Sequence, residues 1–117
     1  MTTQADEYYL KYPEPYQGCL LALKYIIMKV DENITHEMAY QTPLFRYKGK
    51  KLAILWITGK KLLLGYVTDK SVLPLINGKK PRNQYEMVQM DPNADLPKEW
   101  IVARLQQKIK LYEDFNK

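Results

Sequence analysis

Apolar residues recur at helical spacing in two parts of the chain, one near its beginning and one near its end. The first set comprises Leu20, Leu23, Ile27 and Val30, and the second comprises Ile101, Leu105, Ile109 and Tyr112. Residues spaced in this way lie on one side of an α-helix, where they can pack on a core. The pattern predicts one helix over residues 16–30 and a last helix that starts at residues 95–97. A shorter helix over residues 6–12 is predicted to end before Pro13, because a residue that precedes proline is pushed out of the helical region.

Between the long helices, the apolar pattern changes to short strand-like runs at residues 34–40, 44–48, 51–58, 61–67 and 85–90. Gly49 and Gly59 interrupt these runs where tight hairpins need a positive φ. Pro43 falls at the start of its run, where a strand tolerates proline. We also predict a short helix that Thr68 or Asp69 caps, that runs through Leu73 to Ile76, and that Asn77-Gly78 terminates.

These elements predict an α+β fold with two layers, in which an antiparallel β-meander of about four to six strands is flanked by N- and C-terminal helices. The 117 residues contain no linker-like segment, so we expect one domain over residues 1–117. The run 51–58 is apolar on both faces, with Leu52, Ile54 and Trp56 on one side and Ala53, Leu55 and Ile57 on the other. Helices on one side leave the second apolar face either covered by something else or lining a pocket.

Aromatic and basic side chains of the meander are the candidate ligand-binding residues: Tyr40, Phe45, Arg46, Tyr47, Trp56, Lys61 and Tyr66. The rings of Phe45, Tyr47, Trp56 and Tyr66 would form the wall of a pocket, and Arg46 or Lys61 would orient a small anionic ligand. The same rings could instead close the core or form the self-association surface of a homodimer, because large aromatic residues in strands commonly serve packing.

The formal net charge of +5 is concentrated in the middle of the chain, where residues 38–85 contain ten Lys or Arg and one acid, Asp69. Such a segment can steer an anionic ligand. Nucleic acid is a less suitable partner, because the turns at Gly49 and Gly59 lie at opposite ends of a predicted strand that is ~26 Å long. The sequence also lacks a helix-turn-helix or zinc-finger pattern.

Candidate catalytic and metal-binding residues are sparse. Cys19 is the only cysteine and has apolar neighbours, which predicts a buried thiol, excludes an intramolecular disulfide and favours the cytoplasm. His36 and Glu37 are a weak metal-binding alternative, because adjacent strand residues point to opposite faces. We predict no cofactor, no catalytic constellation and, without an apolar run of ~18 residues, no membrane span.

Four blocks resemble the YdhG-like domain of unknown function, which is associated with the YjbR and CyaY (frataxin-like) folds. They are residues 9–16 (YLKYPEPY), 20–24 (LLALK), 34–37 (ITHE) and 40–50 (YQTPLFRYKGK). The resemblance covers residues 9–112 and implies a compact α+β domain with an antiparallel sheet flanked by helices. The characteristic block of the family maps onto Tyr40, Pro43, Phe45, Tyr47 and Gly49, without an assigned role.

The resemblance also implies an alternative function, since some members are described as iron chaperones. Frataxin-like iron delivery relies on an acidic helix, whereas residues 16–30 contain Lys24 and Lys29 and no acid. The preferred hypothesis is a cytoplasmic, non-catalytic domain that binds a small anionic ligand or associates with itself. The alternatives are an iron-binding chaperone and, third, an enzyme that acts on a small anionic substrate.

Overall fold

The computed structural model describes residues 4–115, with side chains from residue 7 onward. Its helices are α1 (Gln4–Leu10), α2 (Tyr16–Met28) and α3 (Lys98–Phe115). The strands are β1 (Ile34–Ala39), β2 (Thr42–Tyr47), β3 (Lys50–Thr58), β4 (Lys61–Thr68) and β5 (Gln84–Met90). Each strand pairs antiparallel with the next in the order β1-β2-β3-β4-β5. The predicted α+β meander is therefore confirmed.

The three helices cover one face of the sheet. Leu23 and Ile27 of α2 and Ile101 and Leu105 of α3 are fully buried in one core with residues of the central strands. From β3, Ala53 and Leu55 enter this core, and Trp56 points to the other face with 44% of its surface exposed. The predicted helical stripes thus pack as the spacing indicates, and the opposite face of the sheet carries no helix among the described residues.

A β-bulge changes the direction of one predicted side chain. Phe45 pairs with Ala53 and Arg46 pairs with Lys51, so Leu52 has no partner on β2. The extra residue shifts the alternation locally, and Leu52 is fully buried in the core on the helix side. The prediction that Leu52 shares a face with Ile54 and Trp56 is therefore wrong.

Residues 69–83, which we call the connector, join β4 to β5. A single 3₁₀ turn, Lys70–Val72, is capped by the Asp69 carboxylate, which accepts the Ser71 N–H at 2.9 Å. The predicted longer helix through Leu73 to Ile76 is wrong, because Pro74 forces Leu73 into an extended conformation (φ −101°, ψ 145°). Asn77 and Gly78, with φ of 53° and 75°, instead form a tight turn in which Ile76 and Lys79 exchange backbone hydrogen bonds.

The hydroxyl of Tyr112 ties α3 to the sheet at the end where the connector begins. Its oxygen lies 2.6 Å from the carbonyl oxygen of Lys51 and 2.8 Å from that of Val67, and it accepts the Asp69 N–H at 3.0 Å. Burial raises the pKa of Tyr112 to about 12. We call this end of the sheet, which also carries the turn at Lys48 and Gly49, the connector end.

Candidate functional site

The candidate site lies on the face of the sheet that the helices leave uncovered, which we call the open face. A cleft of about 470 Å³ occupies the centre of this face. It is lined by Ala39, Tyr40, Thr42, Leu44, Lys51, Ile54, Trp56, Tyr85 and Met87. Its volume falls within the ~300–1,000 Å³ that small-molecule sites occupy.

A glycine in the middle of β4 lies beneath two residues that line the cleft, Ile54 and Met87. Gly65 pairs with Ile54 on one side and with Met87 on the other, so these two side chains flank a position that has none. A Cβ atom at Gly65 would lie 2.7 Å from the Met87 sulfur and 2.8 Å from Cγ1 of Ile54. The close packing of Ile54 and Met87 across β4 therefore requires glycine there.

Three exposed aromatic rings line the cleft together with Ile54 and Met87. Tyr40 is 90% exposed in the β1–β2 turn, Trp56 is 44% exposed on β3, and Tyr85 is 51% exposed on β5. Tyr40 and Gln41 form the turn with φ of 53° and 65°, in the left-handed region that β-hairpin turns normally fill with Asn, Asp or Gly. The backbone therefore holds Tyr40 beside the cleft at a conformational cost, which is common at binding sites.

Among the residues that the structure describes, Lys51 is the only charged one that lines the cleft. Its ammonium group lies 5.6 Å from the centre of the Tyr40 ring, a cation–π distance, and within 4 Å of no carboxylate of residues 7–115. No acidic side chain of residues 7–115 lines the cleft. The site thus combines flat apolar walls with one positive charge that is available to an anion.

The structure places four of the seven predicted ligand-binding residues on the open face, but only two of them line the cleft. Tyr40 and Trp56 are in its lining. Arg46 donates to the Glu37 carboxylate and, at 3.0 Å, to the carbonyl oxygen of Gly49, so the fold already uses its guanidinium group. Lys61 is exposed at the other end of β4, beside the β3–β4 turn.

The other three predicted residues, Phe45, Tyr47 and Tyr66, face the helices and are buried in the core. The Tyr47 hydroxyl donates to Glu113, and this hydrogen bond, together with burial, raises the pKa of Tyr47. Tyr66 contacts Trp100 edge to face, and burial raises its pKa to about 12. The predicted aromatic wall is therefore divided between the two faces of the sheet, and Trp56 is the only one of these four rings in the cleft.

His36 and Glu37 lie on opposite faces of β1, as strand alternation predicts. His36 Nε2 lies 2.8 Å from the Tyr9 hydroxyl, and its ring packs 4.7 Å from that of Phe45, so the half-buried imidazole packs against the core. Glu37 pairs with Arg46 on the open face. Within residues 4–115, no three His, Cys, Asp or Glu side chains come together in a way that could hold a metal ion.

Sequence reasoning did not select Lys51, Gly65, Tyr85 or Met87 as site residues. Two signals were present. A glycine inside an otherwise apolar strand indicates close approach of neighbouring groups. Alternation in β5 places Tyr85 and Met87 on one face, and this face could be identified as the open one only after the register of β4 and β5 was known.

Comparisons with models of protein families, with curated proteins and with solved structures gave no match to this chain. The YdhG-like resemblance stays a prediction. None of the described helices is both long and apolar enough to cross a lipid bilayer.

Gly65→Ala should destabilise the fold, because the new methyl group overlaps Met87 and Ile54. We expect a loss of about 1–3 kcal/mol in the free energy of unfolding, measured by urea denaturation. Gly18→Ala is the control, because its methyl group would meet only the flexible Glu14 carboxylate. Adding Met87→Ala to Gly65→Ala should recover part of the loss in stability. A Gly65→Ala protein as stable as the parent would contradict the close packing described around Gly65.

Proposed function

We propose that this chain is a non-catalytic binding domain whose cleft takes a small anionic ligand with a flat ring. The observation that supports it most directly is the cleft itself, where three exposed rings surround an ammonium group that has no carboxylate partner within 4 Å in the described structure. A ring on Tyr40, Trp56 or Tyr85 would bury apolar surface, and a carboxylate or phosphate would pair with Lys51.

The lining residues favour binding over catalysis. They include no histidine, cysteine, serine or carboxylate, so the cleft offers no general base of the usual kind. Iron binding through His36 and Glu37 is not supported either, because the two side chains point to opposite faces of β1. The buried Cys19 thiol, whose pKa is raised by burial and then by Asp91, supports a cytoplasmic location, where thiols stay reduced.

Self-association through the open face is the second candidate function. Trp56, Tyr85 and Met87 are large apolar side chains with 44%, 51% and 39% exposure on one face, and such surfaces also serve homodimers. Tyr40 and Lys51 cover part of the same surface, so a dimer and a bound ligand would compete for it.

Trp56 emission should report ligand binding directly. In a Trp100→Phe background, adenosine monophosphate and benzoate should quench Trp56 emission with saturation at or below ~1 mM, whereas phosphate and acetate, which lack a ring, should not. Lys51→Gln should weaken binding about tenfold, since it removes a charge-assisted hydrogen bond.

Lys61→Gln is the matched control for Lys51→Gln, because it removes the same charge from the open face outside the cleft. Its affinity should equal that of the parent. If no ring-bearing anion changes Trp56 emission and native mass spectrometry shows a dimer that Trp56→Ala dissociates, the open face is an interface and the ligand proposal is wrong.

Replacement of Tyr40-Gln41 by Asn-Gly should raise stability and lower affinity at the same time. Asn-Gly suits two positive φ angles, so we expect the free energy of unfolding to rise by about 1 kcal/mol. Loss of the Tyr40 ring should weaken the binding of adenosine monophosphate several-fold. Gln41→Gly alone keeps this ring and should keep the affinity, as thermal unfolding and Trp56 titrations will show; equal affinity in both variants would remove Tyr40 from the site.

A further inference from the structure

The cations of the connector emerge next to the aromatic cleft. Lys70, Lys79, Lys80 and Arg82 are all exposed, and none of them pairs with a carboxylate of residues 7–115. The connector leaves the sheet at Thr68 and returns at Gln84, directly before Tyr85 of the cleft. A positively charged segment therefore adjoins one end of the ring-lined surface.

Hydrogen bonds fix the base of the connector at this position. The Asp69 carboxylate accepts the backbone N–H of Lys51 at 2.9 Å, and Asn83 Oδ1 accepts the backbone N–H of Lys70 at 2.7 Å. Asp69 is the only acid of the connector. Burial would raise the pKa of its carboxyl group, but the hydrogen bonds from Ser71 and Lys51 hold this pKa below the ordinary value. The four cations thus remain without a neutralising partner inside the connector.

Strand topology separates the three Gly-Lys-Lys sequences into two groups. The turn at Gly49 and the connector turn at Gly78 both belong to the connector end, whereas the turn at Gly59 lies at the opposite end of β3 and β4. Lys50 therefore lies at the end of the sheet on which Tyr85 lies, and Lys79 and Lys80 belong to the connector that leaves and rejoins the sheet at this end. Two turns that look alike in sequence, Gly59-Lys60-Lys61 and Gly78-Lys79-Lys80, consequently face different surroundings.

The exposed rings are spread over several strands rather than stacked in one spot. Trp56 aligns through Leu63 with Gln89, four residues from Tyr85 on β5. Strand spacing and rise place the Cα atoms of Trp56 and Tyr85 about 16 Å apart, a separation that one ring of a ligand does not span. A ligand with several linked rings does span this separation.

We infer that the open face and the connector together bind single-stranded nucleic acid, with bases on the exposed rings and phosphates on the connector lysines. The inference rests on the proposed cleft, since a nucleotide is a flat ring that carries an anion, and it adds the connector as the site for further phosphates. Rings on a sheet face beside a positively charged loop are the two components that single-strand binding uses. A duplex fits poorly, because its stacked bases cannot reach the rings.

An anionic membrane surface is the competing partner, because Leu75 and Ile76 are 63% and 62% exposed near the same lysines. Such a surface would use the connector alone and leave Tyr40, Trp56 and Tyr85 without a role. Single-stranded nucleic acid uses both the rings and the cations, so it explains more of the exposed surface.

Fluorescence anisotropy with labelled oligothymidylates of two to about twelve nucleotides tests the inference. Affinity should rise with length and fall with salt. Lys79→Gln/Lys80→Gln should weaken the longest oligonucleotide about tenfold and lower the slope of log affinity against log salt by about 1.4, at ~0.7 per phosphate contact. Trp56→Ala should weaken it too.

Lys60→Gln/Lys61→Gln is the matched control, because it removes two charges from the same Gly-Lys-Lys sequence at the opposite end of the sheet. Its affinity and salt slope should equal those of the parent. An equal effect of both double variants would mean unspecific charge attraction and would overturn the inference, as would duplex binding as tight as single-strand binding. Binding to phosphatidylserine vesicles that depends on Lys79 and Lys80, with no oligonucleotide binding, would also overturn it.

The same titrations separate this inference from the proposed function. If adenosine monophosphate binds the cleft and longer oligonucleotides bind no tighter, the inference fails and the small-ligand proposal stands. If oligonucleotides bind with the expected length dependence and no single ring anion binds at ~1 mM, the small-ligand proposal fails and the inference stands.

Discussion

The structure depends on the packing of all three helices on one face of a five-stranded sheet. Leu23, Ile27, Ile101 and Leu105 bury their side chains in the core between the helices and the sheet, and the Tyr112 hydroxyl fixes the end of α3 to the backbones of β3 and β4. Because the described helices all lie on this side, large apolar side chains of the other face, among them Trp56, Tyr85 and Met87, stay exposed to solvent. The apolar residues of the open face are therefore not part of the core, and their exposure needs another explanation.

Two local features convert this open face into a cleft. Gly65 has no side chain in the middle of β4, so Ile54 and Met87, which both line the cleft, pack closely over this strand. The β1–β2 turn holds Tyr40 at its rim although Tyr and Gln are poor residues for two positive φ angles. The other turns satisfy positive φ with at least one glycine, at Gly49, Gly59 and Gly78. Backbone strain and side-chain exposure therefore coincide at Tyr40, beside the charged Lys51 of the cleft.

The sequence predicted the helices, the strands and their meander, because these follow from local spacing of apolar residues and from glycine turns. It did not predict which face each ring of the meander takes. Phe45, Tyr47 and Tyr66 differ from Trp56 only by register relative to the helices, which is a property of long-range packing. The bulge at Leu52 and the turn at Asn77-Gly78 were missed for a related reason, since a bulge has no fixed sequence pattern and Asn-Gly serves both helix ends and hairpins.

The number of basic residues could be read from the sequence, whereas their spatial grouping depends on long-range strand pairing. The count of basic residues between 38 and 85 was visible in the sequence, but their grouping depends on which turns share an end of the sheet. The distance between the turns at Gly49 and Gly59 argued against a continuous phosphate-binding surface. The antiparallel pairing of β5 with β4 changes this conclusion, because the connector between these strands starts and ends at the end of the sheet that Lys50 and Lys51 occupy.

The central claim is that the cleft on the open face is the binding site, and an amide chemical-shift titration tests it most directly. When adenosine monophosphate is added to ¹⁵N-labelled protein, the largest shifts should occur at Ile54, Gly65 and Met87 and in the β1–β2 turn, and the amides of α2 and α3 should stay in place. Shifts confined to the helices, or no shifts at ~1 mM ligand, would contradict it.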